Sequence, residues 1–220
     1  MLTLHHLNDS RSQRILWLLE ELKLTYKLEI YQRDPKTGLA PASLKALHPL
    51  GRAPILTTEN GTLAESGAII EYLTKHYATD AFQIPVDEQA YQSYLFWMHF
   101  AEGSLMPPLV AMKVLTKARE KSPFLFKPVV NKMVDAIIRA YYGPNLEQSL
   151  KYIESWLSSH EWFAGSQPSG ADVQMSFPLE SLVATNRTRA YPVITQYVQR
   201  IHERPAYQAA LKKGGKYSYA

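Results

Sequence analysis

Two neighbouring stretches decide the fold: His48-Pro49-Leu50-Gly51-Arg52-Ala53-Pro54-Ile55-Leu56, and after it Leu63-Ala64-Glu65-Ser66-Gly67-Ala68-Ile69-Ile70-Glu71-Tyr72-Leu73. Ala53 to Thr58 and Thr62 to Glu65 read as strands flanking Glu59-Asn60-Gly61, and Asn-Gly is the strongest short hairpin signal. Pro54 opens the first strand, where a residue without an N–H costs the ladder nothing. Ser66 to Tyr77 follows as a helix with Ile69, Ile70 and Leu73 on one face, and Ser66 is a suitable N-cap.

This stretch also carries chemistry. A cis Ala53-Pro54 bond would turn the chain sharply and free the N–H and C=O of Ala53 for the backbone of a peptide ligand. An ordinary trans edge proline is the plainer alternative. The helix start at Ser66 offers unpaired N–H groups and a partial positive charge, which suit a carboxylate, and Glu65 beside it suits an ammonium group. A carboxylate and an ammonium on one carbon describe an α-amino acid. The plainer alternative is a cap next to a solvated glutamate.

Upstream, Met1 to Leu7 reads as a strand and Asn8-Asp9-Ser10-Arg11-Ser12 as a polar break. Ile15, Leu18, Leu19 and Leu22 have the spacing of an amphipathic helix. Tyr26, Leu28 and Ile30 alternate with polar neighbours as a strand does. A loop around residues 34–38 leads to a short helix from Ala42 to Leu47. One helix between the first two strands implies a right-handed parallel crossover, and the hairpin is antiparallel. Residues 1–77 are therefore expected to form a mixed four-stranded sheet with helices.

Downstream, residues 78–86 lack periodicity and read as a linker, and residues 87–220 read as all helical. Asp87 to about Lys117 is expected to be one long helix bent at Pro107-Pro108. Further helices are expected near 125–141, 145–159, 170–185, 190–202 and 205–213.

Composition narrows the function classes. The 220 residues are 46% hydrophobic and 20% charged, which excludes a disordered, collagen-like or coiled-coil chain. No apolar stretch is long enough to span a membrane, and Asn8, Asp9 and Arg11 come too early for a secretory segment, so a cytoplasmic location is expected. The net charge of +4 comes from scattered Lys and Arg, with no stripe suited to nucleic acid. There is no cysteine. Disulfides, thiolate metal sites and a cysteine nucleophile are thereby excluded, and any thiol chemistry must use a thiol brought by a ligand. The seven histidines include no i, i+4 pair, so no metal site is expected.

Arg52-Ala53-Pro54-Ile55-Leu56 followed by Glu65-Ser66-Gly67-Ala68-Ile69 resembles the glutathione-binding half of the cytosolic glutathione transferase family. Phe163-Ala164-Gly165 followed by Ser169-Gly170-Ala171-Asp172 is similar to that family's capping box late in its helical domain, a pair that serves folding. Domain order and length agree over nearly the whole chain. The resemblance implies a thioredoxin-like α/β domain followed by an all-α domain. It also implies a homodimer, glutathione as co-substrate without a metal, and transfer of the glutathione thiolate to a small apolar electrophile.

By that resemblance Glu65 and Ser66 bind the γ-glutamyl end, Ala53 pairs with the cysteinyl residue, Pro54 is the cis-proline and Arg52 faces the glycine carboxylate. Lys45 and His48 lie near that carboxylate without a clear match. The thiol is activated by a serine: Ser10, in a spacing similar to the serine-type, theta-like branch, with Ser12 and Asn8 as alternatives. The plainer alternative is that Ser10 only caps the first helix, and Arg11 adds positive potential. The electrophile is expected against Phe100, Ser104, Met106 and Val110, with Tyr217 and Tyr219 of a tail that follows Gly214-Gly215 and closes over the site. Aromatic and Met residues at this spacing also suit a plain core. Two other activities fit the same resemblance, a glutathione-dependent disulfide reductase or peroxidase and a non-catalytic interaction module.

Overall fold

Apolar alternation in three short segments and the Asn60 hairpin build the sheet. In a computed structural model, which describes residues 1–78 and 81–220, the strands are β1 (Leu2–Leu7), β2 (Tyr26–Tyr31), β3 (Ile55–Thr58) and β4 (Gly61–Ala64). Their order is β2-β1-β3-β4, with β1–β2 parallel and β1–β3 and β3–β4 antiparallel. Thr58 pairs with Gly61, so the hairpin loop is Glu59-Asn60 alone and Gly61 belongs to the ladder. The helices of this part are α1 (Ser12–Glu21), α2 (Ser43–Leu47) and α3 (Ser66–Tyr77). The mixed sheet and thioredoxin-like arrangement read from the sequence are present. Of the segment 78–86 read as a linker, residues 79 and 80 lie outside the described residues.

The first helix departs from the amphipathic expectation. All of Ser12 to Leu19 is buried, because α1 lies against the sheet on one side and on the other packs on two helices of the helical part, Gly170–Ala184 and Pro205–Gly214. Trp17 makes edge contacts with Phe82 and Tyr207 at 6.1 and 5.9 Å between ring centroids. A helix buried all round marks the centre of a molecule, so one apolar cluster runs through both parts.

The helical part comprises α4 (Glu88–Phe100), α5 (Met106–Lys121), α6 (Lys127–Ile137), α7 (Gly143–Ser159), α8 (Gly170–Ala184), α9 (Pro192–His202) and α10 (Pro205–Gly214). Two wide π-turns, Ala101–Leu105 and Ile138–Tyr142, join α4 to α5 and α6 to α7. Each stands just before a proline, Pro107-Pro108 and Pro144. Proline lacks an N–H and its ring crowds the carbonyl four residues back. A wide turn makes room for it, so the chain continues where a break was expected near residue 142. The Ser169–Asp172 capping box is present and fully buried. Asp172 accepts from the Phe163 and Ser169 N–H groups at 3.0 and 2.8 Å, from Ser169 Oγ at 2.9 Å and from Tyr197 Oη at 2.7 Å.

Candidate functional site

At the junction of β3, β4 and α3 the Ala53-Pro54 bond is cis. The ladder begins at Ile55, opposite Ala64, so Ala53 stands outside it. Glu65 adopts φ 69° and ψ 122°, a conformation that strains any residue with a side chain and costs about 1–3 kcal/mol. Its carboxylate is exposed and makes no hydrogen bond or ion pair among the described residues. Ser66, expected as the N-cap, is the first helical residue instead, because the turn at Glu65 starts α3 one position earlier. Since α3 has no side-chain cap, its first N–H groups remain available to a ligand. A cavity of about 210 Å³ is lined by Arg52, Ala53, Pro54, Glu65 and Ser66 together with Arg11 and Glu102. Five residues singled out in the sequence thus share one hollow.

Behind it lies a buried ionic knot that the sequence reading missed. The guanidinium of Arg14 is fully buried and donates to Ser66 Oγ at 2.5 Å, to Glu102 Oε1 at 2.5 Å and to the Gln174 carbonyl. Arg11 Nε donates to both Glu102 oxygens at 2.9 and 3.0 Å. Burial opposes ionisation of Glu102, but Arg14 and Arg11 more than offset it and hold its carboxyl below the usual range. The signal for Arg14 was a charge set among the buried residues of α1. Glu102, in the π-turn after α4, had none.

Ser10 and Ser12 separate clearly. Ser12 Oγ accepts the Leu7 N–H at 3.0 Å and lies 3.1 Å from the Leu7 carbonyl, 3.0 Å from His6 Nδ1 and 2.8 Å from Ser10 Oγ. It is fully buried and its single proton is committed within this set. Ser10 Oγ accepts the Ser12 N–H at 3.2 Å, a capping contact at the start of α1, and Ser10 lines a second, larger cavity of about 700 Å³. The Ser10 proton can go to Ser12 Oγ, 2.8 Å away, or turn toward the cavity. Asn8 is occupied otherwise: its Oδ1 accepts the Arg33 N–H at 3.0 Å. Arg33 also donates to the carbonyls of Asn8, Asp9 and Gly38, pinning the loop that carries Ser10.

The larger cavity shares Arg11, Arg52 and Ala53 with the smaller one. Its apolar wall includes Leu7, Met106, Leu109, Val110 and Phe177. Met106 and Val110 are therefore beside Ser10. Phe100 and Ser104 are not: they line a separate surface hollow with Phe96 and His99. The reason is helical geometry. Positions six residues apart lie about 120° apart around an α-helix, and the π-turn Ala101–Leu105 interrupts the helix between Phe100 and Met106. The tail is docked onto the site. Tyr217 is buried with Met106 and Phe177 and donates to Glu180 Oε2 at 2.5 Å. Ser218 donates through its N–H and Oγ to Asp9 at 2.8 and 2.9 Å, and Tyr219, not Tyr217, faces the cavity. Gly214 permits this approach, since a Cβ there would sit 2.9 Å from Leu16 Cδ2 and 3.2 Å from His6 Nε2. Lys45 and His48 line neither cavity. Among the described residues no group of three or more His, Cys, Asp or Glu could hold a metal ion, and no helix is long and apolar enough to cross a membrane.

Known proteins share this arrangement. The model of the glutathione S-transferase N-terminal domain matches residues 10–76, and that of the C-terminal domain matches residues 122–205. Glutathione S-transferase 3 of Schizosaccharomyces pombe is 37% identical over 214 residues, which cover 97% of this chain and 88% of that protein. Glutathione S-transferase 1 of Saccharomyces cerevisiae is 32% identical, with 97% and 95% covered. The crystal structure of a glutathione S-transferase from Actinobacillus pleuropneumoniae superposes with a TM-score of 0.77 at 36% identity, covering 97% of this chain and 93% of that one. A sphingomonad glutathione S-transferase complexed with glutathione shares the fold, with a TM-score of 0.74 at 21% identity and 97% and 98% covered. With both domain models matched and relatives this similar along almost its whole length, the chain belongs to the glutathione S-transferase family.

Proposed function

We propose that the protein conjugates the thiolate of glutathione to small electrophiles. The observation that carries this reading is that the two cavities adjoin, sharing Arg11, Arg52 and Ala53, with Glu65 and Ser66 lining one and Ser10 the other. The γ-glutamyl carboxylate takes the free N–H groups at the start of α3, and the Glu65 carboxylate holds the ammonium. The Ala53 main chain beside cis-Pro54 pairs with the cysteinyl residue, and Arg52 faces the glycine carboxylate. This route delivers the sulfur to Ser10. The Ser10 hydroxyl donates to sulfur, and the positive end of α1 adds to the field that favours the thiolate. The sulfur lone pair then forms the new C–S bond while the leaving group departs with its electron pair, or, at an activated double bond, while the π pair shifts onto the electron-withdrawing group and the carbanion takes a proton from solvent. The protein supplies placement and electrostatics. The electrophile rests against Met106, Val110 and Phe177 under Tyr219.

The reaction belongs in the cytoplasm, where the glutathione pool is reduced. The homodimer expected from the resemblance has an apolar surface to use: Phe96, beside the hollow that also holds Phe100 and Ser104, is 45% exposed. Sedimentation of the pure protein tests that. For the activity, the decisive measurement is the conjugation rate with a chloronitroaromatic, set beside rates with a mixed disulfide and an organic hydroperoxide. Conjugation should dominate and should fall in Ser10→Ala. Turnover only of the disulfide or hydroperoxide would replace transfer by reduction, and glutathione binding without any turnover would leave a binding module.

A further inference from the structure

The larger cavity has an uneven charge. Arg11, Arg33, Arg52, Lys113, Lys117 and Arg187 line it against only Asp9 and Glu120. That excess of four equals the +4 of the whole chain, so the rest of the surface is balanced and the field is focused here. Of the six cations only Arg11 has a carboxylate partner, Glu102, among the described residues. Arg52 serves the glycine end of glutathione and Arg33 is occupied by main-chain carbonyls. Lys113, Lys117 and Arg187 remain without a task.

These three stand together at one end of an apolar-to-cationic gradient. Along α5 the cavity is lined by Met106, Leu109, Val110 and Met112, then by Lys113, Thr116 and Lys117, with Glu120 one turn further on. Lys113 and Lys117 are one turn apart on the same face, where like charges repel. Val110 to Lys113 is a rise of about 5 Å. The second helix repeats the order: Phe177 lines the cavity on α8, and Arg187 follows beyond its end. Arg187 Nη1 lies 3.8 Å from Met112 Sδ on α5, and Arg187 and Lys113 line the same cavity. Lys113 Nζ is also held 3.2 Å from Tyr219 Oη. The hydroxyls of Thr116, Ser181 and Thr185 on this wall donate to helix carbonyls, which leaves the three cations and the Tyr219 hydroxyl as its donors to a ligand.

We infer that the electrophile is an amphipathic carboxylate, its reacting carbon beside Ser10 on the apolar wall and its anion held by Lys113, Lys117 and Arg187. This rests on the conjugating activity proposed above and names its substrate class. The carboxylate is a spectator. The sulfur lone pair forms the C–S bond, the leaving group departs with its electrons, and the thiol proton goes to solvent.

The test compares 4-chloro-3-nitrobenzoate with 4-chloro-3-nitrobenzamide, each kcat/KM divided by its uncatalysed rate with glutathione. Chloride is the leaving group in both. The benzoate should be favoured about tenfold or more, as charge-assisted contacts allow. The preference should shrink with added salt and fall to near unity in the Lys113→Gln, Lys117→Gln, Arg187→Gln triple variant, with glutathione affinity by calorimetry unchanged. Equal use of the two substrates by the native protein overturns the inference. So does a triple variant that keeps the preference but binds glutathione weakly, which would assign the cations to the tripeptide. If neither substrate turns over, it is the conjugating activity that fails, and the wall is then read from binding of the two S-aryl glutathione products. Tighter binding of the carboxylate product, lost in the triple variant, supports the anion site, and equal binding refutes it.

Discussion

The guanidinium of Arg14 donates to the main-chain carbonyl of Gln174, joining α1 to α8. That carbonyl lies four residues before Pro178, which stands inside α8 and has no N–H to offer it. The orphan acceptor of one domain is thus satisfied by a buried cation of the other, and the same cation holds Ser66 and Glu102 at the wall of the smaller cavity.

Arg14→Met should therefore cost about 3–5 kcal/mol, the usual loss when one partner of a buried ionic contact is removed. Pro178→Ala restores an N–H for the Gln174 carbonyl. In that background the Arg14→Met loss should be smaller by about 1 kcal/mol, since one fewer group is left unsatisfied. Urea denaturation of the four proteins gives the coupling, and a value of zero would separate the proline from the arginine.

Ser169 and Asp172 should differ in cost. Ser169→Ala removes a capping contact, about 1 kcal/mol. Asp172→Ala strands four buried donors, so about 3 kcal/mol or more is expected. Thermal denaturation ranks the two, and equal losses would mean that the donors around Asp172 find other acceptors.

Glu65 separates strain from binding. Glu65→Ala keeps the strained backbone and loses the carboxylate; Glu65→Gly loses both. The Gly variant should be the more stable of the two, the reverse of the usual order in a helix. Both should bind glutathione roughly tenfold to hundredfold more weakly. Calorimetry and melting on the same samples check both halves.

Ser10→Ala should raise the pKa of bound glutathione thiol by roughly one to two units, because a hydroxyl bonds a thiolate more strongly than a thiol. Glutathione affinity should change little. Ser12→Ala should act on folding instead, by about 2 kcal/mol, since the Leu7 N–H loses its buried acceptor. Thiolate absorbance titrated in both variants decides, and a shift confined to Ser12→Ala would transfer the role.

His6 makes stability depend on pH. Burial lowers its pKa from 6.5 to about 4. Between those values the unfolded chain binds a proton that the folded chain does not, so stability is full above pH 6.5 and falls as pH drops toward 4. The shift corresponds to about 3 kcal/mol across the window. His5 is lowered for the same reason, burial, and acts in the same direction. Urea midpoints between pH 4 and 7, with the His6 ring titrated by NMR, test this; a flat profile would contradict it.

The sequence by itself determined the order of elements, the mixed sheet and the grouping of Arg52, Ala53, Pro54, Glu65 and Ser66, because these rest on local signals. Strand alternation, the Asn60-Gly61 hairpin, Pro54 ahead of Ile55 and the Glu65-Ser66 helix start each act within a few residues. Tertiary structure alone decided the rest. Ser10 and Ser12 are two positions apart, chemically alike and both buried, and only the packing of β1 against α1 decides that Ser10 alone lines the cavity. Phe100 and Ser104 parted from Met106 and Val110 because faces of a helix are resolved only once its neighbours are placed. Arg14, Glu102 and Gln174 are remote along the chain, as are Lys113 and Arg187. Charge acts through space, and no local pattern encodes which distant side chains will share a low-dielectric pocket.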